Sequence, residues 1–218
     1  MSRFYKPLLQ RYLAQDRTYR YEGLQLQIKK EVFHPAFFGS SKVFAAFLKK
    51  QALNNKKVLE IGCGSGLLSL VVAQQGAAAW AVDVNPLAVA CTERNALDNE
   101  LIINTLQSDV FNTIPKQFFD FIIVNPPFFE GTPNSLAEFA WYTGADFQFF
   151  HHFFTGLEDF IDSNSLVYMI LSEACALDAI ECIAIEKGYQ MKVVHQQYRL
   201  AERFLIFSIE TTDNAKQL

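Results

Sequence analysis

The spacing of apolar and polar positions predicts a small N-terminal unit before residue 57. Residues 3–14 place apolar side chains at helical spacing, and Tyr19–Ile28 alternates on both sides of Gly23. Ser40–Lys50 opens with serines and continues as an apolar stripe. We therefore expect an amphipathic helix, a β-hairpin and a second helix with a serine N-cap, in that order.

After residue 57, short apolar runs alternate with helical patterns. The predicted strands are Val58–Ile61, Ala78–Val84, Ile102–Gln107, Phe118–Val124, Leu166–Leu171, Met191–Tyr198 and Phe204–Glu210. Predicted helices end near Gln75 and cover Pro86–Asp98, Phe147–Ile161 and Ala174–Lys187, the last stopped by Gly188. This alternation predicts an α/β fold with a doubly wound, mainly parallel seven-stranded sheet. We place it in a domain over residues 32–218, preceded by a helix and hairpin cap over residues 1–31.

Composition agrees with a folded domain. Hydrophobic residues make up 50% of the 218 residues and charged residues 19%, which is typical of a globular chain. The net charge of -4 predicts no general affinity for long nucleic acids. Seven cations nevertheless gather within residues 1–30, and we interpret them as a solvated face in preference to a substrate-docking patch: Arg3, Lys6, Arg11, Arg17, Arg20, Lys29 and Lys30.

The cysteines are spaced for neither metal binding nor a redox motif. Cys63, Cys91, Cys175 and Cys182 form no C-x-x-C pair, and no histidine cluster accompanies them. We expect reduced, mostly buried thiols in a cytoplasmic protein. The first fifteen residues mix charged and apolar side chains, so we expect neither a signal peptide nor a membrane span.

A glycine-rich turn follows the strand that ends at Ile61. It comprises Glu60, Gly62, Cys63, Gly64 and Gly66, and glycines at such a turn let the backbone approach a ligand closely. The dinucleotide fingerprint requires a further glycine where this chain has Leu67, which argues against a nicotinamide-dependent oxidoreductase.

Carboxylates follow the next two strands. Asp83 closes the second strand, where it could accept hydrogen bonds from the vicinal hydroxyls of a ribose. Its alternative role is to cap the helix that starts at Pro86, which Asn85 could do instead. Asp109 and Val110 follow the third strand, where an aspartate could also serve only the turn.

The most specific motif is Asn125-Pro126-Pro127-Phe128, after the apolar strand that ends at Val124. The amide oxygen of Asn125 and the carbonyl of Pro126 could accept hydrogen bonds from a planar NH₂ group and orient it for attack. The two prolines remove two N–H donors, and Phe128 offers a ring face for stacking.

These motifs, in this order, resemble the small-domain N-methyltransferases with an Asn-Pro-Pro-aromatic signature, which include release-factor glutamine, rRNA guanine-N2 and tRNA adenine-N6 methyltransferases. The resemblance covers about residues 30–210, including Val32–Pro35, Ser40 and Ser41. It implies a class I fold, S-adenosyl-L-methionine as cofactor, and a protein glutamine or an RNA base as methyl acceptor. It also implies that Asp109 contacts the adenine amino group while the following N–H contacts a ring nitrogen. The implied cofactor residues are Glu60, Gly62, Cys63, Gly64, Gly66, Asp83, Asp109, Val110 and Asn125, and the implied catalytic residues are Asn125, Pro126, Pro127 and Phe128.

Two further hypotheses accompany this one. His151 and His152 lie in a run of phenylalanines, and we expect them at the edge of a helix core face without a metal. The alternative function is a non-catalytic module that binds S-adenosylmethionine and serves as partner or scaffold, against which the intact Asn125–Phe128 motif argues.

Overall fold

The computed structural model describes residues 15–35, 39–199 and 201–212. The helix predicted over residues 3–14 lies outside this part of the chain. The predicted hairpin is confirmed as β1 (Arg17–Tyr21) and β2 (Leu24–Ile28), which pair antiparallel. Glu22 and Gly23 form its turn with φ of 43° and 89°, the positive values that a tight two-residue hairpin turn requires.

The remaining elements alternate as the sequence predicts. The helices are α1 (Gly39–Leu48), α2 (Leu67–Gln74), α3 (Pro86–Asp98), α4 (Gln148–Gly156) and α5 (Leu177–Glu186). The strands are β3 (Lys57–Ile61), β4 (Ala78–Asp83), β5 (Ile103–Gln107), β6 (Phe121–Val124), β7 (Leu166–Ser172), β8 (Tyr189–Arg199) and β9 (Glu202–Thr211). Short 3₁₀ helices cover Leu136–Ala140, Ala145–Phe147 and Leu157–Phe160.

Strands β3 to β9 form one seven-stranded sheet in the order β5-β4-β3-β6-β7-β9-β8. All neighbouring pairs are parallel except those made by β9, which runs antiparallel to both β7 and β8. The predicted doubly wound, mainly parallel sheet is therefore confirmed. Chain order reverses between β3 and β6, whose carboxyl ends lie side by side, and a ligand site is expected at such a switch point.

Both faces of the sheet are covered, and its central strand β6 is apolar throughout. Along β6, Phe121 and Ile123 belong to one core with the hairpin and helices α1, α2 and α3. Ile122 and Val124 belong to a second core, rich in phenylalanine, with α4 and α5. A strand buried on both faces needs a continuous apolar run, which is why β6 was readable from the sequence.

Several predicted boundaries were wrong. Strand β6 begins at Phe121, three residues later than predicted, because Phe119 N–H bonds to the carbonyl of Phe160 and not to a strand. Helix α1 begins at Gly39, so Ser40 lies within its first turn and not before it. The β8–β9 hairpin extends beyond its predicted ends because polar residues at an exposed sheet edge hide strand periodicity.

The N-terminal hairpin is attached to the sheet domain by two asparagines on α3. Asn95 is fully buried; its Oδ1 accepts from Gln27 N–H (2.8 Å), and its Nδ2 donates to the carbonyls of Gln27 (3.0 Å) and Ser65 (2.9 Å). One helical turn later, Asn99 makes the matching pair with the backbone of Gln25. The two amides therefore take the place of a neighbouring strand along the free edge of β2.

We predict that Asn95→Ala destabilises the protein by about 2–4 kcal/mol, because it removes the side-chain partner of Gln27 N–H and of the buried Ser65 carbonyl. Urea unfolding measures the change. Asn112→Ala is the matched control, since Asn112 is exposed, and should stay within about 0.5 kcal/mol of the wild type. Equal stability of both variants would contradict the role of Asn95 in attaching the hairpin.

Candidate functional site

A cavity of about 380 Å³ opens at the carboxyl ends of β3, β4 and β6. The predicted residues that line it are Glu60, Gly62, Cys63, Gly64, Asp83, Asp109, Val110, Asn125, Pro126, Pro127 and Phe128. Gly66 is the one predicted residue outside the lining. The structure thus brings together groups from four loops spread over 69 positions of the sequence.

The glycine loop is held by backbone bonds to the next strand. The N–H groups of Gly62 and Cys63 both donate to the carbonyl of Val82, at 2.8 and 2.9 Å. Gly62 has φ of 74°, and a Cβ built there would meet no atom within 4 Å. A side chain at this position would project into open space in the cavity wall, and its absence lets a ligand approach the backbone.

Gly66 serves the packing of the loop and not the lining of the cavity. It precedes α2 with φ of 82°, and a Cβ there would lie 2.7 Å from Cγ2 of Thr92. Thr92 is fully buried on α3 and donates from Oγ1 to the carbonyl of Gly64. Gly66 therefore permits the close contact by which α3 supports the loop.

Asp83 lies at the end of β4 with both carboxylate oxygens oriented by backbone donors. Oδ2 accepts from Gly64 N–H and Oδ1 from Asn85 N–H, each at 2.9 Å. Asn85 Oδ1 accepts from Leu87 N–H, so Asn85 caps α3 as the alternative interpretation allowed. Burial raises the pKa of Asp83, against the effect of its two N–H donors. Each oxygen retains a lone pair for a further donor.

Glu60 is buried beside the start of α2. Its Oε2 accepts from the N–H of Ser69 (2.8 Å) and from the hydroxyl of the same residue. Burial raises the pKa of Glu60 to about 8; the two bonds from Ser69 oppose this rise, and the charge of Asp83 adds to it. Glu60 thus satisfies an unpaired donor of the α2 N-terminus as well as lining the cavity.

Asp109 and Val110 occupy the turn after β5. Val110 has φ of 50°, a left-handed conformation that is costly for a β-branched residue and that fixes the direction of its backbone N–H. His152 on α4 places Nδ1 3.5 Å from Oδ2 of Asp109, and both side chains are about half exposed. His152 was expected only at the edge of the phenylalanine core, and it lines the cavity as well.

Asn125 directly follows β6, and its side chain is oriented from the other side of the cavity. Its Nδ2 donates to Oγ of Ser41 at 3.2 Å, and Ser41 is buried in the first turn of α1. Because Nδ2 is directed to Ser41, Oδ1 is the amide atom left to accept a hydrogen bond. Ser40 is also buried and lines the cavity, and its Oγ has no hydrogen-bond partner among the described residues.

Sequence reasoning missed that Phe33 and Trp141 meet at the cavity, and we refer to these two rings as the aromatic wall. Residues 129–131 pair with residues 142–144: Phe129 N–H donates to the carbonyl of Trp141, and Thr143 N–H to that of Phe129. Trp141 approaches Phe33, with ring centroids 5.6 Å apart. The segment Val32–Pro35 resembled the family, but no periodicity indicates that Phe33 and Trp141, 108 positions apart, meet.

The described residues contain no group of three or more His, Cys, Asp or Glu side chains arranged to hold a metal. All four cysteines are free thiols and three are buried. Within the same residues, no helix has the length and apolar character needed to cross a membrane.

Comparison with known proteins supports the resemblance. The sequence profile of the methyltransferase small domain matches residues 28–141. A putative protein N5-glutamine methyltransferase of Methanocaldococcus jannaschii is 36% identical over 131 residues, which cover 57% of this chain and 64% of that protein. A tRNA1(Val) (adenine(37)-N6)-methyltransferase of a Flavobacteriaceae bacterium is 31% identical over 122 residues, 54% of this chain and 51% of that protein. The chain therefore matches between half and two thirds of the length of these relatives.

Among solved structures, the 16S rRNA N2 G1207 methyltransferase of T. thermophilus, in complex with AdoMet and guanosine, has the same fold. It superposes with a TM-score of 0.64 at 19% identity, over 89% of this chain and 50% of that one.

We predict that Glu60→Gln changes how stability depends on pH. A carboxyl whose pKa rises on folding binds its proton more tightly in the folded state. Stability therefore falls as pH rises from about 4.5 to about 8, by at most about 1.4 kcal/mol per pH unit. Glutamine does not titrate, so the stability of Glu60→Gln relative to wild type should increase between pH 5 and pH 8.

Urea unfolding at both pH values measures this effect. Exposed Glu93 provides the control, because Glu93→Gln should leave the pH dependence of the wild type unchanged. A constant stability difference between Glu60→Gln and wild type over this range would show that Glu60 is ionised in the folded protein.

Proposed function

The chain belongs to the methyltransferase small-domain family, and we propose that it transfers a methyl group from S-adenosyl-L-methionine to a planar nitrogen of a protein glutamine or an RNA base. One observation carries the proposal. The glycine loop, Asp83 and the Asn125–Phe128 loop, which are separated in sequence, line a single cavity at the switch point of the sheet.

The residues present fit the cofactor. The open backbone at Gly62 gives space beside the loop, and Asp83 offers two oriented oxygens to the hydroxyls of a ribose. Asp109 and the fixed N–H of Val110 offer one acceptor and one donor, which match the amino group and a ring nitrogen of adenine. Asp83 also supplies negative charge to a cavity that would receive a sulfonium cation.

When bound, the cofactor supplies an electrophilic methyl group on a sulfonium sulfur. The protein orients the acceptor: Oδ1 of Asn125 and the carbonyl of Pro126 accept hydrogen bonds from the NH₂ group and direct its lone pair toward the methyl carbon. The same two oxygens would stabilise the positive charge that develops on the acceptor nitrogen during methyl transfer. The acceptor proton then passes to solvent.

The aromatic wall completes the acceptor side. Phe128 follows the two prolines and gives a planar group a face for stacking. Trp141 and Phe33 also line the cavity, where they add apolar surface beside the proposed acceptor. The same planar requirement holds for a carboxamide and for a nucleobase amino group, and the relatives include enzymes named for each.

Asp83→Ala is predicted to weaken S-adenosylmethionine binding by about 1–3 kcal/mol, since two charge-assisted hydrogen bonds are lost. Titration calorimetry measures the affinity, with NADH as the negative ligand. Asp98→Ala removes a carboxylate from the exposed side of α3 and should bind as wild type does. Unchanged affinity in Asp83→Ala would remove the ribose assignment.

For Asn125→Ala, we expect methyl transfer to slow by at least roughly a hundredfold while cofactor affinity changes little, because the lost acceptor acts mainly in the transition state. Single-turnover transfer of tritiated methyl to protein and RNA fractions of a cell extract gives the rate. Asn112→Ala serves as control. A fully active Asn125→Ala protein would take this loop out of the mechanism.

A further inference from the structure

Positive charge is concentrated at the start of the chain. Residues 1–30 contain seven Lys and Arg against two Asp and Glu, a net charge of +5, while residues 31–218 contain twelve against twenty-one, a net charge of -9. Among the cations in the described residues, Arg20, Lys29 and Lys30 are exposed, as expected of a solvated face, but Arg17 is half-buried.

Arg17 belongs to a cluster of cations from three separate segments. It shares the half-buried side of β1 with Tyr19, and Nζ of Lys42 lies 5.5 Å from the centroid of the Tyr19 ring. Arg199, at the end of β8, reaches the start of α1: its Cδ lies 2.8 Å from the position a Cβ would take on Gly39. We refer to Arg17, Lys42 and Arg199 together as the basic face.

The three charges act on two neighbouring rings, His34 and Tyr19, whose centroids lie 5.8 Å apart. Burial lowers the pKa of His34, and the charges of Arg17 and Lys42 lower it further. Burial raises the pKa of Tyr19, and the charge of Arg199 opposes that rise. The three cations of the basic face are therefore grouped around the Tyr19–His34 ring pair.

In the part of the chain that the structure describes, neither Lys42 nor Arg199 forms a salt bridge, whereas Lys29, Lys56, Lys116 and Lys192 do. Glu22, in the β1–β2 turn, pairs with Lys49, and Glu202, opposite Arg199 in the β8–β9 hairpin, accepts from Ser172. Two half-buried cations remain available in a protein of net charge -4.

The basic face borders the cavity. Gly39, against which Arg199 packs, is followed by Ser40 in the cavity lining and by Ser41, which accepts from Asn125. Lys42 is the next residue of the same helical turn. A chain that crosses Lys42 and Arg199 is thus within one helical turn of the groups proposed to hold the acceptor nitrogen.

From this arrangement, and resting on the proposed function, we infer that the basic face binds the phosphodiester backbone of an RNA strand whose base enters the cavity as methyl acceptor. A nucleic-acid backbone carries one negative charge per nucleotide, which matches a cluster of available cations. A glutamine in a protein brings no fixed charge to this position, so the basic face favours the RNA acceptor over the protein acceptor.

The test uses the full chain and a fluorescein-labelled single-stranded RNA of twenty nucleotides with mixed sequence. Binding is measured by fluorescence anisotropy between 25 and 200 mM salt for wild type and for the double variant Lys42→Gln, Arg199→Gln. Lys116→Gln, Lys192→Gln is the matched control, since it removes the same charge from exposed sites in other parts of the fold. Calorimetry with S-adenosylmethionine on each protein checks the cofactor site separately.

We expect the double variant to bind RNA at least tenfold more weakly. The slope of log K against log salt concentration should fall in magnitude by about 1.4, because each of the two lost phosphate contacts contributes about 0.7. The control should match wild type, and all three proteins should bind the cofactor equally. RNA affinity that is equal in wild type and double variant would overturn the inference.

Tritiated-methyl transfer gives a second measurement. Label that enters RNA, and decreases in the double variant, supports the inference. Label that enters only the protein fraction overturns the inference and leaves the proposed methyl transfer intact. Label that enters a DNA of the same sequence, when it is offered in place of the RNA, and not the RNA itself has the same meaning. Absence of cofactor binding in wild type would instead remove the proposed function.

Discussion

The parallel pairing of β3 with β6 is the constraint on which the site depends. Val58 to Ile61 pair in register with Phe121 to Val124, and every residue in this register is buried. Because both strands end at the same level, the glycine loop and the Asn125 loop leave the sheet side by side. A shift of one residue would turn each side chain to the opposite face and separate Asn125 from the cofactor residues.

The helices then fix the loops that the strands bring together. Helix α3 supports the glycine loop through Thr92 and Asn95, and Asn95 also attaches the N-terminal hairpin. Helix α1 orients Asn125 through Ser41. The hairpin and α1 therefore act on the site as well as covering the sheet, so a change in the hairpin can reach the glycine loop through one asparagine side chain.

The sequence predicted the features that depend on local chemistry. A buried parallel strand requires an apolar run, a close backbone approach requires glycine, and Pro86 marks the first turn of α3. For these reasons the sheet and α3 could be predicted from the sequence, and eleven of the twelve predicted site residues line one cavity. Gly66 shows the limit of this reasoning. Its residue type drew attention to the position, but a glycine is needed there because Thr92, which is distant in sequence, packs against it. Contacts such as Phe33 with Trp141 or Asn125 with Ser41 leave no periodic signal in either segment.

The residues at and near the cavity fall into two sets, one inside the segment that matches the family profile and one beyond it. The profile match over residues 28–141 contains every predicted cofactor residue and the Asn125–Phe128 loop. His152 on α4 and Arg199 on β8 lie beyond it, one beside Asp109 and the other beside the start of α1. Binding of the proposed cofactor would constrain the first set, whereas His152 lines the cavity and Arg199 lies near it, outside the matched segment. We therefore expect differences in acceptor among relatives to arise from α4, the β8–β9 hairpin and the N-terminal hairpin, and not from the loops proposed to hold the methyl donor.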